Sequence, residues 1–490
     1  MDWNPQGDPR SSMARARKFL LPRVTLTQVV EGDDPGAVLV SECPEPYYVA
    51  PLLVPSQEIR RDGRPTWAKH QFNLLPIVVD GTGAVWAEAT IYLLARIESQ
   101  IAPNMASYSS IADDLAAYRR FLDDYDLDWT DFPQPKLNRP TYRFNGHLKF
   151  AIAAGEISAS TARRRMTSVI GFYRWLIDAQ AISPAHAPWK EADRYINFSD
   201  SKGFRRLKQV HSTDLSVRVP QQRDPYDGLI DDGGKLRPLS DSEQEWVVDA
   251  LRSIGNTEMT LIFLMSLLSA ARIQTVLTTR VRHALIAFDP SSESEVRIPV
   301  GPGTGVDTKY NKRMVLHIPT WFYSRLQSYA QSERSRLRRQ KARGGDGQDQ
   351  FLFLSNRGVP FYDSRDRLQL FDDGNRLRHR KSGQAVRQFI TERVIPVIRE
   401  KRSVPRFRFK FHDLRATAGM NWTDAQLSFV TRGEISLHEA REFVRTRMGH
   451  ESSGVTDRYL QYRHSVEMVR RVEERHEAHL RHLIMCALEG

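Results

Sequence analysis

Six side chains in the C-terminal half of the sequence could together handle one phosphate. Arg272 directly follows the apolar run "MTLIFLMSLLSAA", and an arginine at the edge of a core is costly unless an anion meets it. Lys309 lies in "DTKYNKR", a turn between two predicted strands. His412 and Arg415 share "FHDLR", a spacing that lets both lie on one helical face. His450 closes "RMGH", and Tyr459 follows nine residues later in "MGHESSGVTDRYLQYRH", with Tyr462 three further on. Guanidinium forks match phosphate oxygens bidentately. Two of them, with a lysine and two imidazoles, make a cationic pocket for a phosphate, and a tyrosine beside it is placed to attack the phosphorus. Each residue alone has an ordinary explanation: an arginine beside a core pairs with a carboxylate, a turn lysine is solvated, His412 is a satisfied core histidine. Their joint order is the signal.

This chemistry is coherent without a metal or a nucleotide. A free tyrosine has a pKa near ~10, so about one in a thousand is ionised at neutral pH, and nearby cations favour the phenolate. Phosphoryl transfer needs mainly positioning and neutralisation of oxygen charge, which arginines supply in place of magnesium. The sequence has no Walker motif and no acidic cluster suited to magnesium, so no cofactor or metal is expected. His476, His479, His482 and Cys486 lack a second ligand cluster.

Composition narrows the partner. The formal net charge of +12 favours a polyanion, nucleic acid or an anionic membrane surface. The apolar run ending at Ala271 is too short to span a bilayer, and the N-terminal "MDWNPQGDPRSSMARARKF" lacks the basic-then-apolar order of a signal peptide. Cys43 and Cys486, the two cysteines, give neither a disulfide framework nor zinc spacing. The expectation is a cytoplasmic, bacterial nucleoid-associated protein with no membrane partner.

The elements that must position these residues fall into segments, since 490 residues exceed what one core usually organises. Residues 1–83 carry the short apolar runs "AVLVSE" and "LLPIVVDG", read as strands between turns, and form an accessory region of unknown role. Residues 84–189 read as helical: Ile111, Leu115, Tyr118 and Leu122 share one face, as do Met166, Val169, Ile170, Tyr173 and Ile177. Ser160 or Thr161 as a cap would put Arg163, Arg164 and Arg165 in the first turn, where a bound phosphate would relieve the conflict with the helix dipole. From 190 to 237 the periodicity fades, and "SKGFRRLKQ" and "DDGGKLRP" read as a basic interdomain linker, with Arg205, Arg206 and Lys208 as candidate backbone contacts to DNA. A second domain, 238–490, opens on a capping-box pattern, Ser240 with Glu243. It holds the apolar helix, three expected strands ("HALIAF", "EVRIPV", "RMVLHIP"), a mobile basic loop over 332–350, the strand-turn "FLFLSNRG", and a final amphipathic helix marked by Val466, Val469, Val472, Leu480, Leu483, Ile484 and Ala487.

The order Arg, Lys, His-x-x-Arg, His, Tyr resembles the catalytic domain of the tyrosine recombinases, the phage-integrase family. "FHDLRATAG" is similar to that family's H-x-L-R segment, and "MGHESSGVTDRYLQY" to its histidine-to-tyrosine segment with the same nine-residue step. "SAARIQTVLTTRV" resembles the segment around the first arginine, and "FLFLSNRGVPF" a strand-turn between the lysine and H-x-L-R. The resemblance covers about 238–465; the helical 84–188 region resembles the family's core-binding domain less specifically. Departures are Thr275, where the family often has a carboxylate orienting the first arginine, and long intervals before His412 and His450.

The resemblance implies a mainly α fold with a small β-sheet: a helical core-binding domain plus a mixed α/β catalytic domain, closing on DNA as a C-shaped clamp. It implies a site-specific recombinase of a mobile element, an integrase or transposition recombinase. By position, Arg272 and Arg415 would hold the non-bridging oxygens, Lys309 (with Lys312 as its rival) would protonate the leaving 5′-oxygen, and His412 and His450 would assist proton transfer. Tyr459 would form a 3′-phosphotyrosyl bond. The implied partners are double-stranded DNA with paired half-sites, further copies of the chain as a tetramer on DNA, and accessory DNA-bending or directionality factors. The final helix would dock on its own domain or on a neighbouring subunit. A type IB topoisomerase shares the chemistry, and a non-catalytic DNA-binding protein shares the fold; the helical region argues against the first and the full set of six polar residues against the second.

Overall fold

The computed structural model describes residues 15–42, 44–59, 65–100, 103–199, 205–217, 228–365 and 381–464, with residues 477, 481 and 484, and the backbone alone at 56–59, 65, 192–199, 205–206 and 208–211. It is mainly helical with small antiparallel sheets, and it divides into two compact units at Gln221 and Gln222.

In the first unit, β1 (Arg17–Thr25) pairs with β7 (Gln71–Val79). Between them, β2 (Thr27–Val30) and β3 (Val38–Val40) flank β4 (Tyr47–Pro51), and β5 (Leu53–Ile59) pairs with β6 (Pro65–Lys69). The near-continuous apolar sequence of β7 fits its burial from Phe72 to Val79. Four helices follow: α1 (Ala87–Glu98), α2 (Met105–Asp124), α3 (Pro140–Ala153) and α4 (Ala159–Asp178). Phe72, Leu75 and Val78 share one core with Leu93, Leu115, Phe144 and Phe172, so position 83, drawn as a domain edge from the sequence, is not a packing edge.

Two readings within this unit change. The cap of α4 is Ser158, whose side chain accepts from the Thr161 amide. Arg163 to Arg165 therefore lie in the second turn, where the dipole conflict is weak, and Arg164 pairs at 3.0 Å with the buried Asp114 carboxylate. The expected linker also contains a regular hairpin, β8 (Glu191–Ser199) against β9 (Arg205–Thr213), in register from Glu191 opposite Thr213 to Ser199 opposite Arg205. Its base is tied down by Lys190, whose amide donates to Asp214 at 3.0 Å, and by Arg174, 2.9 Å from Glu191. Polar residues along both strands hide the apolar alternation that would announce a hairpin. Arg205, Arg206 and Lys208 lie on β9, and their side chains are outside the described residues.

The second unit begins with a two-residue hairpin, β10 (Ile230–Asp231) and β11 (Lys235–Leu236). The Ser240–Glu243 capping box forms and starts α5 (Asp241–Ile254). Next come the buried α6 (Thr257–Ser269), the short α7 (Ile273–Thr278), and β12 (Glu295–Val300) paired with β13 (Met314–Pro319). They are followed by α8 (Thr320–Gln331), α9 (Glu333–Lys341), α10 (Gln384–Phe389), a π turn over Ile390–Val394, α11 (Ile395–Arg402), α12 (Asp413–Thr431) and α13 (Leu437–Met448); residues 453–464 are helical. "HALIAF" is not a strand: Val281–Ala284 form a 3-10 turn whose polar groups meet Tyr323, its hydroxyl donating to the His283 carbonyl at 3.0 Å and accepting from the Ile286 amide at 2.8 Å. The basic segment 332–350 is not a loop throughout. Its first half is α9, held because Arg334 and Arg338 pair with the buried Glu258 at 2.7 and 3.0 Å. "FLFLSNRG" makes bridges, Arg280 to Phe351 and Leu354 to Pro360. Val466, Val469, Val472, Leu480, Leu483 and Ala487 lie outside the described residues, as do His476, His479, His482 and Cys486. Among the described residues no helix is long and apolar enough to cross a membrane.

Candidate active site

The geometry is built on three helix ends and one hairpin. α6 terminates in Ala270, forced to φ +54°. The chain then turns so that Arg272 becomes the residue capping α7, which is where an arginine following an apolar helix would leave the core. The β12–β13 connection carries Lys309 on a 3-10 turn. His412 stands at the N-cap of α12 and Arg415 in its first turn. Gly449, at φ +64°, ends α13 and lets the chain reverse into His450; a side chain there would be strained. Tyr459 lies on the helix that follows, packed with Ile230, Ala270, Ala418, Met448 and Val444 in a small cluster of its own.

Four of the six converge on one residue that the sequence reading placed in the linker and did not single out, Asp232. Arg415 donates Nε–H to Asp232 Oδ2 at 2.8 Å, and the Tyr459 hydroxyl donates to the same oxygen at 3.1 Å. His450 Nε2 lies 3.3 Å from that oxygen, and Arg272 Nη2 is 3.4 Å from Oδ1. His450 Nδ1 faces the Thr456 hydroxyl at 2.9 Å; a neutral imidazole with its proton on Nε2 would satisfy both contacts. Arg415 is further fixed by the carbonyls of Ala270 at 2.7 Å and Met448 at 2.9 Å.

His412 and Lys309 stand at the same place without a direct bond to Asp232. Burial, then the charges of Arg272, Arg415, Arg387 and Lys309, push the His412 imidazole down to about 4. Lys309 lies against the Asp232 turn: a β-carbon on Gly233 would come within 3.0 Å of its Nζ. Lys312 instead pairs with Glu451 at 3.4 Å. Beside His450 a cavity of about 480 Å³ is lined by Arg297, Lys312, Arg313, His317 and Arg445 among others. Arg163, Arg164 and Arg165 belong to the first unit.

The electrostatics follow from burial. Asp232 is 6% exposed and Tyr459 is fully enclosed. Burial alone would raise the Asp232 carboxyl, but the hydrogen bond from His450 and the charges of Arg415 and Arg272 hold it well below the usual carboxylate range. Burial, followed by the Asp232 charge, pushes the Tyr459 phenol well above its ordinary value. His450 is pushed down, mainly by burial and against the pull of Asp232. The arrangement holds one oxyanion in a dry pocket of two guanidiniums and an imidazole, with a phenol on the same oxygen. Thr275, at the position of the carboxylate missing after Arg272, donates instead to the Asp307 carbonyl at 2.9 Å. Asp232 went unread because it sits forty residues ahead of Arg272 in a Gly-Gly turn, a composition shared with linkers. Among the described residues no cluster of histidine, cysteine and carboxylate side chains could hold a metal ion.

Comparison with known proteins adds the following. Structural neighbours of the chain are integrases. A lambda integrase dimer bound to a core site matches at 13% identity and a TM-score of 0.42, covering 76% of this chain and 94% of that one. A lambda integrase tetramer bound to a Holliday junction matches at 13% identity and 0.42, covering 75% and 77%. The Tn1549 transposon integrase in complex with a circular intermediate DNA matches at 12% identity and 0.43, covering 76% and 94%. No family model matches the sequence, and no curated protein matches it.

Proposed function

We propose that the chain is a tyrosine-type site-specific DNA recombinase, the integrase or transposition recombinase of a mobile element. The observation that supports it most is the single oxyanion position touched at once by Arg415, His450 and Tyr459, with Arg272 on the companion oxygen. A carboxylate oxygen there has the charge and the acceptor geometry of a phosphate oxygen. The net charge of +12 suits a polyanionic substrate.

In this reading Arg272 and Arg415 bind the non-bridging oxygens of the scissile phosphate. The Tyr459 oxygen attacks phosphorus, the bond from phosphorus to the 5′-oxygen breaks, and the DNA is left joined to the enzyme through a 3′-phosphotyrosine. The phenol proton passes to an imidazole, His412 or His450; His450 Nε2 shares the Asp232 oxygen with the Tyr459 hydroxyl. Lys309 protonates the departing 5′-oxygen, and its place against Gly233 favours it over Lys312, which is paired with Glu451. The reverse attack by a 5′-hydroxyl of the partner strand restores the backbone with no net change in bond number. Exchange between two duplexes calls for two protomers on each, a cyclic tetramer on DNA.

A duplex nicked beside the scissile phosphate tests this. The free 5′ fragment diffuses away, so a recombinase accumulates covalent protein–DNA in excess EDTA with no nucleotide. A DNA-binding protein without activity gives none, and a type IB topoisomerase relaxes supercoiled plasmid lacking any specific site.

A further inference from the structure

We propose that Asp232 is a built-in plug of the phosphate pocket: the β10–β11 hairpin inserts a carboxylate in the position of the scissile phosphate, and substrate binds only when the hairpin withdraws. This deepens the recombinase reading and rests on it for the identity of the displaced ligand. The donors that would bind the phosphate are already used by Asp232. Its Oδ2 takes the Arg415 Nε–H, the Tyr459 hydroxyl and His450 Nε2. An incoming phosphate oxygen needs those same donors, so carboxylate and phosphate exclude each other. Asp232 is not required merely to orient Arg415, because the Ala270 and Met448 carbonyls do so from the other guanidinium nitrogens. Tyr459, fully enclosed and hydrogen-bonded to the plug, cannot reach an external phosphorus until Asp232 leaves.

The hairpin is built as a removable latch. It is two residues per strand with Gly233 and Gly234 at its tip. Both glycines have positive φ, +70° and +152°, so Asp232 is the one side chain that the turn inserts into the pocket. Besides the Tyr459 hydroxyl on Asp232, two contacts hold it to the helix of the nucleophile: Ile230 packs in the cluster of Tyr459, and Arg458 pairs with the Asp231 carboxylate at 3.5 Å and donates to its carbonyl. A release of the hairpin therefore frees the tyrosine and the anion pocket together.

The test compares wild type, Asp232→Asn and Arg458→Ala in the full-length protein, with inorganic phosphate as the probe and the nicked duplex as a second readout. Asp232→Asn keeps the shape and removes the competing charge. Arg458→Ala loosens the latch while leaving every pocket residue in place, so it keeps the question answerable if the buried Asn impairs folding. The expected result is phosphate affinity at least tenfold higher in Asp232→Asn and a smaller gain in Arg458→Ala, measured by calorimetry, with faster covalent trapping in both. If Asp232→Asn gains phosphate affinity while no protein traps DNA, the plug stands and the recombinase reading fails. If wild type traps DNA while neither variant gains phosphate affinity and Asp232→Asn traps more slowly, the plug is overturned and Asp232 is a positioning residue for the two arginines.

Discussion

Arg272 and Arg415 are chemically alike and structurally different, and that difference is measurable. Arg415 is 2% exposed and donates to Asp232 and two carbonyls, whereas Arg272 is partly exposed and makes one long contact, 3.4 Å to Asp232. Removing a preorganised oxyanion donor typically costs ~10²–10³ in rate. Arg272→Ala is expected to lose at least that much trapping rate with little change in melting temperature. Arg415→Ala should lose both rate and stability, because the Ala270 and Met448 carbonyls lose a donor and the buried Asp232 carboxylate loses its nearest cation. His412 gives a pH prediction. Its folded pKa, about 4, lies below the ordinary 6.5, so the unfolded chain binds a proton the folded one refuses. Its contribution to stability is full above pH 6.5 and falls as the pH drops toward 4. Urea titrations of His412→Gln should show a flatter pH dependence of stability across that window than wild type; equal slopes would mean His412 titrates normally in the fold.

The helices that carry the site show what patterning can and cannot announce. The apolar run before Arg272, the capping box at Ser240 and the helical faces of α2 and α4 were legible, because burial in a helix writes a 3.6-residue period. The six candidate residues are named from their types and order, and four of them, Arg272, Arg415, His450 and Tyr459, meet at one carboxylate. What escaped was written in contacts rather than in period. α9 has six charged residues in nine, and Arg334 and Arg338 are ordered by Glu258 on α6. β8 and β9 mix apolar and polar residues without a clean period of two. Asp232 acts through a fold-back of residues that look like spacer. At this scale Gly419 is the sharpest test. It sits in α12 beneath Tyr459, where a β-carbon would fall 2.5 Å from the tyrosine Cε1 and 3.1 Å from Met448 Cε. Gly419→Ala must displace the ring, so we expect a loss of about 1–3 kcal/mol, as for overpacked cores, and slowed covalent trapping. Unchanged stability in a urea titration would mean that the Tyr459 helix is free to move away from α12.

Across the whole molecule the excess of cations should set the salt dependence of DNA binding, since each phosphate contact steepens the slope of log affinity against log salt by about 0.9. Replacing Arg163, Arg164 and Arg165 together is expected to flatten that slope by roughly one to two units, less than three contacts would give, because Arg164 is already paired with Asp114. A gel-shift series over salt concentration with an unchanged slope would remove these arginines from the DNA contacts. The central claim is covalent chemistry at one tyrosine, and peptide mapping of the trapped complex reads it directly. After incubation with a nicked duplex in EDTA, digestion and mass spectrometry should find the nucleotide adduct on Tyr459, lost in Tyr459→Phe and retained in Tyr462→Phe. An adduct on Tyr462, or none on any tyrosine from a protein that still binds the duplex, would contradict the account.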